Sequence, residues 1–344
     1  MQIQVFLGTG GVGKTSLASA TALQAALRGE RCLVLAIDPA LRLRTALGMA
    51  PGVSQQKVDL TEYAASGELW AALMDVRASL DRAVRLYGKP AQAQRILDHP
   101  IYHTLIASLA GMQELMAIER LDQAINEGFG TIVIDTAPTR HALEFLDKPE
   151  YFVQLVSSPI VRLVGRAYRL WERTPLASLS RATLEVYARV EALLGTTLVR
   201  QILDFYSVFF TIAEGYAQRA RRTAARLRDP RTTGFAIVTT PFKAVRDTAF
   251  FAHELEARKF PVRSVTVNRI WPAVEVELPS DAPPPIAETL RWYHDVSRAQ
   301  RRAWEQLRAD YAGRIPNVMQ VPELPRDVDG VAALYQLAQH LEPR

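Results

Sequence analysis

The chain has 344 residues, 49% of them apolar and 22% charged, with a formal net charge of +5 and one cysteine, Cys32. A lone cysteine excludes a disulfide scaffold and any zinc site built from several cysteines of one chain. Met1-Gln2-Ile3-Gln4 lacks a basic stretch followed by an apolar run, and the most apolar tract, 198–216, is interrupted by Arg200, Asp204 and Glu214. Neither a secretory signal nor a membrane span is therefore expected, and the chain reads as cytoplasmic.

Residues 3–7 (I-Q-V-F-L) form a predicted strand running into a glycine cluster, and 14–28, rich in Ala and Leu, a helix stopped by Gly29. Residues 32–37 (C-L-V-L-A-I) are a continuous apolar run ending at Asp38, the pattern of a strand buried on both faces of a parallel sheet. Further strands are expected at 131–134, ending at Asp135, at 235–238, at 264–267, ending at Asn268, and at 317–321, ending at Pro322. Helical segments such as 246–258 separate them. This alternation predicts an α/β fold with a doubly wound, mainly parallel sheet, whose ligand edge lies where the strands end.

Two stretches exceed simple crossovers. Residues from about 60 to 128 read as nearly all helical, and so do those from about 150 to 231, with thirteen arginines and no lysine. They are expected to form a helical subdomain inserted into one domain spanning 1–344. Residues 279–285 (P-S-D-A-P-P-P) read as a surface loop.

Gly8-Thr9-Gly10-Gly11-Val12-Gly13-Lys14-Thr15 matches the phosphate-loop pattern G-x-x-x-x-G-K-[ST], after a strand and opening a helix. Gly8, Gly10, Gly11 and Gly13 let the backbone curl so that successive N–H groups, Val12's included, face phosphate oxygens. Lys14 reaches the β- and γ-phosphates, Thr15 offers a hydroxyl to Mg²⁺, and Ser16 touches the α-phosphate. Asp38-Pro39-Ala40 and Asp135-Thr136-Ala137-Pro138 end two strands. Carboxylates there can stand behind a magnesium ion and orient the attacking water, so Thr15, Asp38 and Asp135 are the expected metal set and Lys14, Asp38 and Asp135 the catalytic set. A helix N-cap is the competing use of either aspartate.

G-T-G-G-V-G-K-T, D-P-A-L-R-L-R-T-A-L-G and D-T-A-P-T-R-H-A-L-E-F-L together resemble the P-loop ATPases of the arsenical-pump and guided-entry tail-anchored-protein targeting family. Gly111-Met112-Gln113-Glu114, Val267-Asn268-Arg269 and Val321-Pro322-Glu323-Leu324 extend the resemblance along the sheet elements. It implies a P-loop NTPase that binds ATP and ADP with Mg²⁺ and hydrolyses ATP. Asp38 would position the hydrolytic water and Asp135 would stand behind the metal. Asn268 would read the adenine edge, and Pro322 to Leu324 would cover the base. The residues alone leave Asn268 equally open to a structural cap. The resemblance also implies a face-to-face dimer that opens and closes on a client.

Three departures qualify this. The family's second loop lysine is absent, since Thr9 occupies its place. Arg42, Arg44 or Arg140 can substitute for it, with Arg140 preferred; a paralogous partner can supply it; or turnover is slow. No C-x-x-C exists, so no zinc is expected, and Cys32 alone argues against arsenite transport. His99 and His103, at i and i+4, lack an evident third ligand. A homodimer or a heterodimer with a paralogue is expected, with a hydrophobic or acidic protein client. For that client the apolar segments 151–156 and 203–210 and the arginines at 162, 166, 169 and 173 are candidate surfaces, with core packing and a solvated face as the plainer readings. Nucleic acid is not expected as a partner, and membrane only indirectly. Two alternatives stay open: a nucleotide-gated scaffold of the septum-positioning or partition type that binds membrane or DNA, and a weakly hydrolysing regulatory subunit of a hetero-oligomer. The first needs a basic amphipathic C-terminal tail. The last fifteen residues have an apolar face but only Arg344 as a basic group, and are expected to pack on the sheet.

Overall fold

The computed structural model describes residues 1–37, 42–103, 112–137, 143, 146, 154, 213, 215–273 and 283–341. The chain divides into two compact units, one of residues 1–74, 124–142 and 225–344, the other of 75–123 and 143–224.

The first unit is built on a sheet of eight strands. In chain order they are β1 (Gln2–Leu7), β2 (Arg31–Ala36), β3 (Gln55–Lys57), β4 (Glu68–Leu73), β5 (Thr131–Asp135), β6 (Thr233–Thr239), β7 (Val262–Ile270) and β8 (Asn317–Pro322). Their order across the sheet is β3-β4-β2-β5-β1-β6-β7-β8. All neighbours run parallel except β3, which pairs antiparallel with β4 at the edge. The central strands are apolar on both faces because both faces are covered: Leu33, Val34, Leu35, Ile132 and Val133 have no exposed surface. From β1 the chain builds outward in both directions, β5, β2 and β4 to one side and β6, β7 and β8 to the other. The end of β1 is therefore a topological switch point, where such sheets open a crevice.

Helix α1 (Lys14–Leu27), α2 (Arg42–Leu47) and a C-terminal helix, here α8 (Gly330–Gln339), share one apolar cluster with Phe6, Val34, Val133 and Val238 of the sheet. Leu334, Leu337 and Ala338 of α8 are buried in it, and the Gln24 side-chain amide donates to the Ala338 carbonyl at 3.4 Å. This final helix is thus packed onto α1 and the sheet layer, as its apolar face predicts. Two further helices, α6 (Ala244–Ala257) and α7 (Pro284–Tyr311), pack against β6, β7 and β8.

Two expectations are corrected. The stretch from about 60 is not all helical: Glu68–Leu73 is a strand paired with β2 from Arg31↔Glu68 to Ala36↔Leu73, and Thr61–Tyr63 forms one 3₁₀ turn. The short apolar run after Gly67 suits a buried strand and a buried helix equally well by pattern, and pairing with β2 decides it. The proline-rich segment is not a loop to its end: Pro284 and Pro285 open the 28-residue helix α7, where a missing N–H costs nothing.

The second unit is helical in its described residues. Helices α3 (Val76–Tyr87), α4 (Pro90–Leu97) and most of α5 (Met112–Asn126) belong to it, as do helical residues 215–224. Asp75 caps α3, accepting from the Ala78 amide at 2.9 Å. Its interior is polar in part: the Tyr87 hydroxyl donates to Glu119 at 2.7 Å, and Arg219 pairs with Asp122 at 3.0 Å. The segments 151–156 and 203–210 and the arginines at 162, 166, 169 and 173 lie outside the described residues, Gln154 apart.

Candidate functional site

The glycine cluster lies at the switch point, between β1 and α1. Gly13 is the N-cap of α1 with φ +88°, a left-handed conformation that glycine adopts without strain, and its carbonyl accepts the first helical bond from the Leu17 amide at 3.0 Å. No acidic residue occupies the first turn of α1, so its amides and the positive end of its dipole are left to an anion. Lys14 is 6% exposed. Ser16 is half-buried and Gly10 and Gly11 are exposed at the loop tip.

Two close approaches explain the outer glycines. A side chain at Gly8 would place its first carbon 2.3 Å from the Val238 carbonyl oxygen of β6, and one at Gly13 would lie 2.2 Å from the side-chain nitrogen of Asn268. The loop is thus pressed against β6 at its start and against β7 at its end.

Asp135 ends β5 level with Phe6 of β1, and the neighbouring Thr136 hydroxyl donates to the Phe6 carbonyl at 2.7 Å. This stitching brings the 4% exposed Asp135 carboxylate to the loop, where Oδ2 accepts from the Thr15 hydroxyl at 2.6 Å. Thr15 and Asp135, 120 residues apart in sequence, are thus in direct contact. A hydroxyl and a carboxylate are hard oxygen donors, the chemistry that suits Mg²⁺. Asp38 and Arg140 lie outside the described residues.

Asn268 is buried, and its Nδ2 donates to the Val12 carbonyl at 2.9 Å. The β7–β8 register shifts between Val267 and Ile270, and Arg269 takes φ +63°, rare for a non-glycine residue. Pro322 pairs with Ile270 where the two strands end, and Leu324 is half-buried against the α1–α8 cluster.

Thr9 has a partner that sequence reasoning missed. Its hydroxyl donates to Asp247 Oδ2 at 2.7 Å. Asp247, 6% exposed, stands in the first turn of α6, where a carboxylate meets the positive end of the helix. The one available signal was an acid just after a strand-to-helix turn, which reads as ordinary dipole compensation. Of the proposed substitutes for a loop lysine, Arg42 is exposed at the start of α2, and Arg44 donates to the Ala50 carbonyl at 3.4 Å.

Other candidates have local uses. Cys32 is fully buried in β2, and burial pushes its thiol well above the usual range, so it is no soft metal ligand as it stands. His99 accepts from the Ile101 amide at 3.2 Å, acting as a cap rather than as half of a helical metal pair with His103. A cavity of about 490 Å³ opens elsewhere, along Gln2, Gln4, Gln24 and Asn317, and none of the loop residues 8–15 lines it.

A sequence model of the family described as Anion-transporting ATPase matches residues 1–343. A putative arsenical pump-driving ATPase of Prosthecochloris vibrioformis is 30% identical over 151 residues, 44% of this chain and 36% of that protein. ATPase GET3B of Arabidopsis thaliana is 25% identical over 344 residues, covering 95% of this chain and 75% of its own length. ATPase GET3 of Malassezia globosa is 22% identical over 336 residues, covering 97% and 88% respectively. The match thus spans little more than a third of the arsenical-pump relative, but three quarters or more of the two GET3 ATPases.

Proposed function

This chain belongs to the anion-transporting ATPase family, and on that premise we propose that it hydrolyses ATP, how its residues act and what the hydrolysis serves. Residues 8–15 hold the phosphates of ATP, and Lys14 neutralises charge on the transferred group. Thr15 and Asp135 would hold Mg²⁺, which would supply positive charge to offset the negative charge of the phosphates. Asp38 orients the attacking water, Asn268 faces the nucleotide from β7, and the Pro322–Leu324 segment covers the base. Two copies, or one copy and a paralogue, close face to face around ATP and open after hydrolysis, acting on a hydrophobic or acidic protein client carried by the helical residues of 60–128 and 150–231. Such a protein works in the cytoplasm.

The observation that carries this reading is the 2.6 Å contact between Thr15 and Asp135 at the end of β1. Replacing Lys14 by alanine is expected to abolish ATP hydrolysis while leaving the circular dichroism spectrum and melting temperature as in the parent. Undiminished turnover would refute it. The client is sought with Asp38→Asn, which should hold ATP unhydrolysed: proteins co-purified in ATP and lost in ADP are candidates, and an identical set in both nucleotides speaks against nucleotide-driven capture.

A second reading is favoured by one observation. The hydroxyl that stands in place of a loop lysine is neutral and already engaged with Asp247. Acting alone, the chain then lacks a cation at that point of the transition state and turns over slowly, as a subunit awaiting a partner does. Hydrolysis measured alone and with a paralogue that carries the loop lysine separates the two readings.

A further inference from the structure

We infer that Asn268 is a positioning residue for the phosphate loop, acting on the backbone of Val12 whether or not it also meets the base. The inference rests on reading residues 8–15 as the phosphate-binding segment.

A loop of this kind works when its N–H groups converge on the anion, which requires its carbonyls to point away from the phosphates. A carbonyl turned outward from a buried residue must find a donor in the protein. Val12 is 1% exposed, and its carbonyl accepts from Asn268 Nδ2 at 2.9 Å. The same nitrogen fills the space beside Gly13, where a side-chain carbon would sit 2.2 Å away. Gly13 and Asn268 are therefore a matched pair: the glycine leaves room for the carboxamide, and the carboxamide fixes the peptide between Val12 and Gly13. That peptide sets the direction of the amides that follow it into α1.

The backbone around Asn268 is arranged for this reach. The register of β7 against β8 shifts between Val267 and Ile270, and Arg269 takes a left-handed φ of +63°. Beyond the shift the chain is held by the Glu323 amide donating to the Ile270 carbonyl at 2.9 Å. Strained backbone of this sort persists where the surroundings over-determine it, and it clusters at ligand sites.

A strut and a base reader differ in what they do to a ligand without a base. The probes are magnesium tripolyphosphate, ATP and GTP, titrated by calorimetry into the full chain and into Asn268→Ala. Loss of the strut is expected to weaken tripolyphosphate and ATP by the same factor, about tenfold. The melting temperature without ligand should fall by a few degrees, because the buried Val12 carbonyl loses its donor, and the ATP-to-GTP preference should stay as in the parent unless Asn268 also meets the base. Tripolyphosphate binding weakened by less than about threefold overturns the inference. Should Asn268→Ala not fold, Asn268→Ser, too short to reach Val12, is read by the same criterion. The underlying reading fails in a different way: the parent chain would bind no tripolyphosphate, and Lys14→Ala would bind ATP as well as the parent.

Discussion

In the proposed site, the metal assignment rests on a single oxygen pair. Thr15 Oγ1 donates to Asp135 Oδ2 at 2.6 Å, and these two hard oxygen donors are the ones that would hold Mg²⁺. Asparagine at 135 keeps the shape and an acceptor for Thr15 but removes the charge. Asp135→Asn is therefore expected to lower kcat by roughly 100-fold, the order of loss seen when one preorganised electrostatic group is removed. The magnesium concentration for half-maximal activity should rise with it. Unchanged magnesium dependence in steady-state assays would show that Asp135 does not serve the metal. Gly11 and Gly13 allow a second test. Both hold left-handed φ, +80° and +88°, but an added methyl meets nothing within 4 Å at Gly11 and the Asn268 nitrogen at 2.2 Å at Gly13. Gly11→Ala thus pays for backbone strain alone, about 1 kcal/mol. Gly13→Ala adds the displacement of Asn268 and is expected to cost about 1–2 kcal/mol more in denaturant unfolding. Equal costs would mean that Asn268 moves aside freely.

At the scale of elements, legibility followed range. The strands that carry Asp135 and Asn268 were visible because a strand buried on both faces has to be apolar throughout, although β7 runs on to Ile270, two residues past Asn268, and the loop was visible because its pattern is contiguous. β4 was missed because a six-residue apolar run, 69–74, has no period long enough to exclude a helix; only its pairing with β2 settles it. The Thr9–Asp247 contact joins residues 238 positions apart, and it exists because β6 lies beside β1, an adjacency that no local pattern contains. The polar interior of the second unit was equally hidden, since Glu119 and Asp122 look like the solvated face of an ordinary helix. Burial raises the Glu119 carboxyl above its ordinary value of 4.5; the Tyr87 hydroxyl lowers it in part, and the Asp122 charge raises it further. The folded protein then binds this proton more tightly than the unfolded chain. Its contribution is full below pH 4.5 and is lost as pH rises through the folded value. Glu119→Gln keeps an acceptor for Tyr87 and carries no charge, so it should melt higher than the parent at pH 8, with the difference closing towards pH 4.5. A pH-independent difference in calorimetric melting temperature would locate its effect in packing instead.

The whole molecule poses the question of where the missing cation comes from. In one chain, Thr9 supplies none, and Asp247 beside it is a buried carboxylate whose hydrogen-bond partner is that hydroxyl. If two copies close face to face, a lysine at position 9 of one copy acts on the ATP of the other, which makes a mixing experiment decisive. A Thr9→Lys/Lys14→Ala chain is built as a donor: it carries the cation but is expected to lack turnover of its own. Added in excess to the parent chain, it should raise turnover per parent site by about tenfold or more, since a cation delivered in trans to a phosphoryl transition state acts with large effect. Asp247 modulates the outcome in a definite direction. Its carboxylate lies within 2.7 Å of the position-9 side chain and would hold the new ammonium in its own subunit. Adding Asp247→Asn to the donor releases the lysine and should increase the stimulation further. Turnover of the parent chain that stays flat at every donor ratio, with mixed dimers demonstrated by differential tagging, would remove the cross-subunit cation from the mechanism and leave a site that works within one chain.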